Sequence, residues 1–243
     1  MGEFYIKCSL DLGDWIAKGN YQGVTLNGNE LIVDTQQHAN LSEALNMSKD
    51  EIVNSVILLP NDSQVIKQTD KTLDKYKNLI MKIGVHVKVA KVISECVSDR
   101  FTEVYLDTMK IRKELPDGNV FYISLDDLGD GIKKAVRVML LIEALKPKLI
   151  LWDDFEVFAH PSLINLLLKW LIEGDWQVVI STHSIDVLYE LVDLGRKKDV
   201  TVLLLEKDES DVLLYEKLTI DELEDLIVAN QDPRRLASML SLR

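Results

Sequence analysis

The chain has 243 residues, 47% of them hydrophobic and 7% aromatic, with 28 Lys and Arg against 40 Asp and Glu, a formal charge of −12. A globular chain of this length buries a substantial core without staples, and the composition excludes collagen-like, disordered and disulfide-scaffold proteins. The excess of carboxylates argues against broad contact with a nucleic-acid backbone, where affinity comes from Lys and Arg, so any nucleic-acid role is expected to be indirect.

Residues 4 to 34 alternate short β-prone runs (Phe4 to Leu10, Gly23 to Leu26, Leu31 to Val33) with turn signals at Gly19-Asn20 and Asn27-Gly28, the pattern of an antiparallel meander. Helical character begins at Asn40. Ser48-Lys49-Asp50-Glu51 has the spacing of a capping box, and Ile52, Val53, Val56 and Ile57 follow at helical intervals until Pro60. A second amphipathic helix is predicted over Thr72 to Ile83, stopped by Gly84. Within residues 85 to 97, Val85-His86-Val87-Lys88-Val89 alternates like a strand, with a helix left open after Ala90. Phe101 to Leu115 and Asn119 to Ser124 predict two strands joined through Pro116-Asp117-Gly118-Asn119, whose Asp-Gly pair suits a hairpin.

A regular α/β alternation follows: a helix from Gly131 to Leu145, the strand Lys148 to Trp152, a helix opening at Pro161, the strand Gln177 to Ser181, a helix over Ile185 to Leu194, and the strand Val200 to Leu205. Strands apolar on both faces and alternating with helices imply a parallel sheet covered on both sides. The tail adds a strand around Val212 to Tyr215 and a helix capped by Thr219 with Glu222. Basic clusters at Lys133, Lys134 and Arg137, at Arg196 to Lys198, and at Arg234 and Arg235 read as helix faces and termini in water. Cys8 and Cys96, without C-x-x-C spacing, read as packing residues in a reducing cytoplasm. The longest apolar stretches, Val138 to Leu145 and Leu163 to Leu168, fall well short of the roughly 18 residues of a membrane span, and Met1-Gly2-Glu3-Phe4 shows no basic flank leading into an apolar core. A cytoplasmic protein without membrane insertion is expected.

In an open α/β sheet the chemistry sits beyond the carboxyl ends of the strands. Three segments there stand out. Leu149-Ile150-Leu151-Trp152-Asp153-Asp154-Phe155-Glu156 is an apolar strand ending in two acids; one carboxylate in such a place holds the water shell of Mg²⁺ while its neighbour orients an attacking water. Val178-Val179-Ile180-Ser181-Thr182-His183-Ser184 leads an apolar strand into a polar turn, where His183 is a candidate donor to a terminal phosphate or else a cap. Asp127-Leu128-Gly129-Asp130-Gly131-Ile132 places two glycines just before a long helix, whose free N–H groups face an anion or simply a turn.

The order and spacing of these three resemble the C-terminal half of an ABC-type ATPase head, of the ABC/SMC branch that includes overcoming-lysogenization-defect and DNA-repair ATPases, over about residues 119 to 206. The resemblance aligns Leu128-Gly129-Asp130-Gly131 with the signature motif, Leu149 to Asp154 with the Walker B strand, Ala159-His160-Pro161-Ser162 with the D-loop region, and His183 with the switch histidine. It implies an α/β P-loop NTPase-like fold, a mostly parallel sheet flanked by helices with an N-terminal antiparallel β-rich lobe. It also implies one domain over residues 1–243: a first lobe over 1–60, a middle region over 61–118, the signature, Walker B and switch core over 119–210, and a C-terminal strand and helices over 211–243. ATP and Mg²⁺ are the implied ligands. Asp153 would be the Mg²⁺-associated carboxylate, Asp154 the acid polarising water and His183 the γ-phosphate sensor. Leu128, Gly129, Asp130 and Gly131 would face nucleotide held by a partner subunit, in a homodimer or a heterodimer with an ATPase subunit.

The sequence departs from that family in one large respect. No G-x-x-x-x-G-K-S/T occurs, and no Gly is directly followed by Lys, so the loop that cradles β- and γ-phosphates is missing. Asn27-Gly28-Asn29-Glu30 stands roughly where that loop belongs, with an acid in the lysine's place. Asp154 replaces the usual Glu, and Asp127 stands near the usual signature Ser. Three readings remain open: a degenerate or partner-dependent ATPase, a non-hydrolysing module that docks on an active ATPase, and a metal site for other chemistry such as phosphodiester cleavage. A hydrolase built on Ser181 or Ser184, His183 and Asp186 lacks a G-x-S-x-G elbow.

Overall fold

The structure, a computed structural model, describes residues 31–33, 36–38, 48–61, 64–196, 199–207 and 212–236. The chain divides into two compact units, Met1–Val56 and Ile57–Arg243. In the first unit, β1 (Leu31–Val33) pairs antiparallel with β2 (Gln36–His38), Leu31 opposite His38. The expected strands Phe4 to Leu10 and Gly23 to Leu26, both turn signals, Asn29-Glu30 and Cys8 lie outside the described residues. Helix α1 (Lys49–Ser55) begins with the expected capping box: the Glu51 N–H donates to Ser48 Oγ at 3.2 Å, and the Ser48 N–H donates to Glu51 Oε2 at 2.8 Å. The helix does not run on to Pro60. It ends at Ser55, and Val56–Leu59 forms β3, because two β-branched residues followed by two leucines suit a pleated, half-buried surface better than a helical stripe.

In the second unit, α2 (Gln64–Ile83) ends at Gly84, whose φ of 74° turns the chain directly into α3 (Val85–Val97). The strand expected at Val85 to Val89 is therefore a helix. Val85, Val89 and Ile93, with His86 and Ala90, are buried together on one face, a four-residue period that overrode the two-residue alternation of valines. The long strand expected over Phe101 to Leu115 is two strands, β4 (Phe101–Tyr105) and β5 (Lys110–Glu114), reversed at Asp107-Thr108-Met109 with Met109 at a φ of 46°. β6 (Val120–Ser124) completes this antiparallel sheet through the expected hairpin, where Gly118 takes a φ of 84° and the Asn119 N–H donates to Asp117 Oδ1 at 3.0 Å.

Helix α4 (Asp130–Leu145) is central. Every residue from Ala135 to Ala144 is buried, the mark of a helix enclosed on all sides rather than lying on a surface. Arg137, only 2% exposed, is held by Asp70 at 2.7 Å and Asp126 at 2.9 Å, so the basic cluster at 133–137 is not a solvated face. From α4 the chain turns back into β7 (Leu149–Trp152), which pairs in parallel with β8 (Gln177–Ile180), Trp152 opposite Ile180, while β3 lies on the other edge of β7. Helix α5 (Pro161–Glu173) joins β7 to β8, and α6 (Ile185–Gly195) follows β8. The strand expected in the parallel sheet over Val200 to Leu205 is β9 (Val202–Lys207), which pairs antiparallel with β10 (Leu213–Leu218) instead. Val202 and Leu204 are buried and Leu203 and Leu205 exposed, a one-sided burial suited to an antiparallel ribbon. Helix α7 (Ile220–Val228) starts on the expected Thr219–Glu222 capping box. The architecture is mixed α/β: a parallel sheet and antiparallel sheets flanked by helices. Among the described residues no helix is long and apolar enough to cross a membrane.

Candidate functional site

Leu149, Ile150 and Trp152 are largely withdrawn from water, and the chain leaves this interior at Asp153, which the sheet can no longer cover on both faces. The Asp153 N–H donates to the Leu59 carbonyl at 2.9 Å, and the Ser181 N–H donates to the Trp152 carbonyl at 2.9 Å, so all three strands end together. Asp154 has a φ of 45°, left-handed backbone that Asp tolerates better than most residues because its short polar side chain bonds locally.

Ser181, at the end of β8, joins both acids. Its hydroxyl donates to Asp153 Oδ1 at 2.6 Å and accepts the Asp154 N–H at 2.9 Å. Asn61, just past β3, donates from Nδ2 to Asp154 Oδ2 at 3.0 Å. One oxygen of each carboxylate is thereby engaged, and the other has no donor among the described residues. Ser181 spends its proton on Asp153 and Ser184 caps α6 by accepting the Asp186 N–H at 3.2 Å, which removes both serines from the hydrolase arrangement.

His183 lies in the turn after β8, with its backbone held from two sides. Its N–H donates to Glu156 Oε1 at 2.8 Å, and its carbonyl accepts from Arg234 Nη1 at 3.0 Å. Arg234 is itself aligned by Asp232, and this guanidinium holds the Asp232 carboxyl down at about 2, so the clamp keeps its charge throughout the neutral range. The imidazole of His183 is exposed. The signature-like segment is placed by contact with the turn after β7. At Gly131 a Cβ would meet the Phe158 carbonyl oxygen at 2.3 Å and Leu163 Cδ2 at 2.9 Å, so only glycine lets the start of α4 approach so closely. Leu128 and Gly129 precede it, and Asp130 pairs with Lys133 at 2.9 Å. His160, in the segment aligned with the D-loop, caps α5 by accepting the Ser162 N–H at 3.4 Å.

Lys134, one turn into α4, puts its ammonium 5.8 Å from the centroid of the Trp152 ring. Burial holds its pKa below the ordinary lysine value, opposed by attraction from Asp154 and Asp153. The sequence singles out the acid pair, His183 and the glycines as candidates, but not the contacts of Asn61, Glu156, Arg234 and Lys134. Each acts through a partner far along the chain, for which spacing gives no signal.

Residues 19–189, well over half of the chain, match the family described as "AAA domain, putative AbiEii toxin, Type IV TA system". The chain belongs to this AAA-domain family. An AAA-type, ATPase-like domain follows from that membership. A Helicobacter pylori protein named ATP/GTP phosphatase is 24% identical over 155 residues, 61% of this chain and 36% of its own length. An uncharacterized protein of Methanocaldococcus jannaschii is 31% identical over 77 residues, 30% of this chain and 68% of its own length. The chain thus spans about a third of the Helicobacter relative. Among solved structures, the SMC head domain from Thermotoga maritima overlaps with a TM-score of 0.41 at 15% identity, covering 68% of this chain and 53% of that one. An SMC head bound to the C-winged helix domain of ScpA overlaps with a TM-score of 0.47 at 10% identity, covering 81% and 66%.

Domains of this family generally bind ATP with Mg²⁺, and the donor set of the AAA domain suits that ion. Two carboxylates at one strand end, each with an oxygen that has no donor among the described residues, are hard ligands for a small divalent cation. Among the described residues no group of three or more His, Cys, Asp or Glu is placed to hold a metal ion. An ion held at Asp153 would therefore need water and phosphate for the rest of its oxygen shell, as Mg²⁺ commonly does.

Proposed function

We propose that this AAA domain binds Mg²⁺-nucleotide beyond the ends of β7 and β8 as a degenerate or partner-dependent ATPase. The observation that carries this reading is the paired Asp153 and Asp154, cross-linked by Ser181 with one oxygen of each lacking a donor among the described residues. Structural packing alone gives no reason to keep two carboxylates there. The name of the Helicobacter pylori relative, ATP/GTP phosphatase, supports the same chemistry.

Bound Mg²⁺ would neutralise phosphate charge. The protein's own residues position and polarise, which is most of what phosphoryl transfer asks of an enzyme. Asp153 holds the water shell of the ion, Ser181 fixes the Asp153 carboxylate, and Asn61 orients Asp154 to accept a proton from an attacking water. His183, with its backbone clamped by Glu156 and Arg234, presents its imidazole toward a terminal phosphate. Leu128, Gly129, Asp130 and Gly131 face nucleotide on a second subunit, a like chain or an ATPase partner that also supplies the missing phosphate loop. Domain boundaries at 60, 118 and 210 and a cytoplasmic location belong to the same proposal.

The test is calorimetric titration of Mg-ATP into the chain, with Asp153→Asn as control and circular dichroism to show that the variant folds. Weak, Mg²⁺-dependent binding is expected, reduced about tenfold or more in the variant through loss of one charged ligand. Binding that is indifferent to Mg²⁺ or to the substitution would remove Asp153 from this role. The missing Gly-Lys pair favours a second reading, a non-hydrolysing module docked on an active ATPase; it predicts no Mg-ATP binding by the chain in any amount.

A further inference from the structure

Four lysines pair with a carboxylate: Lys77 with Asp107, Lys88 with Glu143, Lys113 with Asp99 and Lys133 with Asp130. Lys134 forms none of the ion pairs found among the described residues. It is nevertheless half-buried, its ammonium lying over the Trp152 ring at 5.8 Å, while the next two residues after that tryptophan are Asp153 and Asp154. Both acids attract it, and neither comes within ion-pair distance. An ammonium that has lost part of its water and gained no carboxylate is poised for an anion, because the desolvation it would suffer on binding has largely been met in folding. What fits between one cation and two carboxylates is a ligand of mixed sign, with a divalent ion toward the acids and a phosphate oxygen toward the lysine. Chloride or a lone carboxylate offers only half of that.

We propose that Lys134 contacts a phosphate oxygen of the Mg²⁺-bound nucleotide within its own chain, supplying the positive charge that a G-x-x-x-x-G-K-S/T lysine would otherwise bring. This inference rests on the nucleotide reading above and names a residue that the reading does not use. It also gives the chain a phosphate contact of its own, on the helix that carries the signature-like segment rather than on a loop after a first strand. The alternative is that the lysine stem merely covers the indole while its head faces water.

Two measurements on the full chain separate these. Calorimetry with Mg-ATP and with Mg-tripolyphosphate is expected to show about tenfold weaker binding for Lys134→Gln, the scale of one charge-assisted contact, and near-normal binding for Lys134→Arg, which keeps the charge. Lys148→Gln, at the exposed opposite end of β7, is expected to bind as the parent does. In the unsubstituted chain, trace acetylation read by mass spectrometry should label Lys134 readily near pH 8, and either ligand should protect it while leaving Lys148 unprotected. Binding unchanged in Lys134→Gln together with an unprotected amine overturns the lysine's role and leaves the nucleotide reading standing. Protection by tripolyphosphate without any preference for ATP supports the lysine contact and overturns the nucleotide reading. Binding of neither ligand by the unsubstituted chain overturns both.

Discussion

At Asp154 one residue carries two demands. Its φ of 45° is a conformation that costs most L-residues roughly 1–2 kcal/mol and Asn or Asp less. Its carboxylate is also tied to Asn61 at 3.0 Å. Strain of this kind persists where the surroundings over-determine it, and it gathers at functional sites. Replacement by Asn, which tolerates the same backbone and still accepts from Asn61, is expected to leave stability within about 0.5 kcal/mol in urea denaturation, whereas Ala should lose about 1 kcal/mol. Equal stability of the two variants would mean that the turn after β7 relaxes out of the left-handed region. The aspartate pair itself was readable from sequence, because an apolar run that stops at adjacent acids marks the point where a buried strand meets water. Its bridge to Ser181 was not, since 28 residues separate Asp153 from that hydroxyl and only the parallel register of β7 and β8 brings them level.

At the scale of elements, the contact between the start of α4 and the turn after β7 decides where the signature-like segment lies. Gly131 has backbone, not a yielding side chain, against the position of a Cβ. Gly131→Ala is accordingly expected to destabilise the protein by about 1–3 kcal/mol, as overpacking does, despite the better helix propensity of alanine. A change in the urea midpoint with an unaltered slope is the measurement, and a variant as stable as the parent would contradict the close approach. The glycine pair was visible as a turn ahead of a helix; that Gly131 packs on Phe158 was not, because the contact belongs to two elements. The same limit explains α3. Its valines satisfy a two-residue and a four-residue period at once, and the choice between strand and helix was made by which face found a core. The helices capped by Ser48 with Glu51 and by Thr219 with Glu222 began where expected, since a cap is a local hydrogen bond between residues three apart.

Across the whole molecule, Arg137 ties α4 to α2 through Asp70 and to the segment before α4 through Asp126. The guanidinium is 2% exposed, but the carboxylates of Asp70 and Asp126 keep 35% and 72% of their surfaces. Removing the arginine thus returns two acids to water rather than stranding them in the core. The cost of Arg137→Ala is then mainly that of an unfilled cavity, about 3 kcal/mol, and Arg137→Met should recover most of it, to within about 1 kcal/mol of the parent. Thermal or urea unfolding of the two variants decides this: equal losses would assign the stability to the ion pairs instead of the packing.

What the sequence determined by itself were features written in neighbouring residues: caps, the Asp-Gly hairpin, the apolar strands of β7 and β8, the acid pair that ends the first and the histidine turn that follows the second. Only the tertiary structure decided that β9 leaves the parallel sheet for β10, that Val85–Val97 is helical, and that Ser181, Asn61, Glu156, Arg234 and Lys134 surround the acids and His183. The division follows from range. A turn or a cap is settled by hydrogen bonds within a few residues. A strand's partner, a helix's buried face and a lysine's nearest charge are settled by which distant surfaces exclude water together, and that is a property of the folded chain.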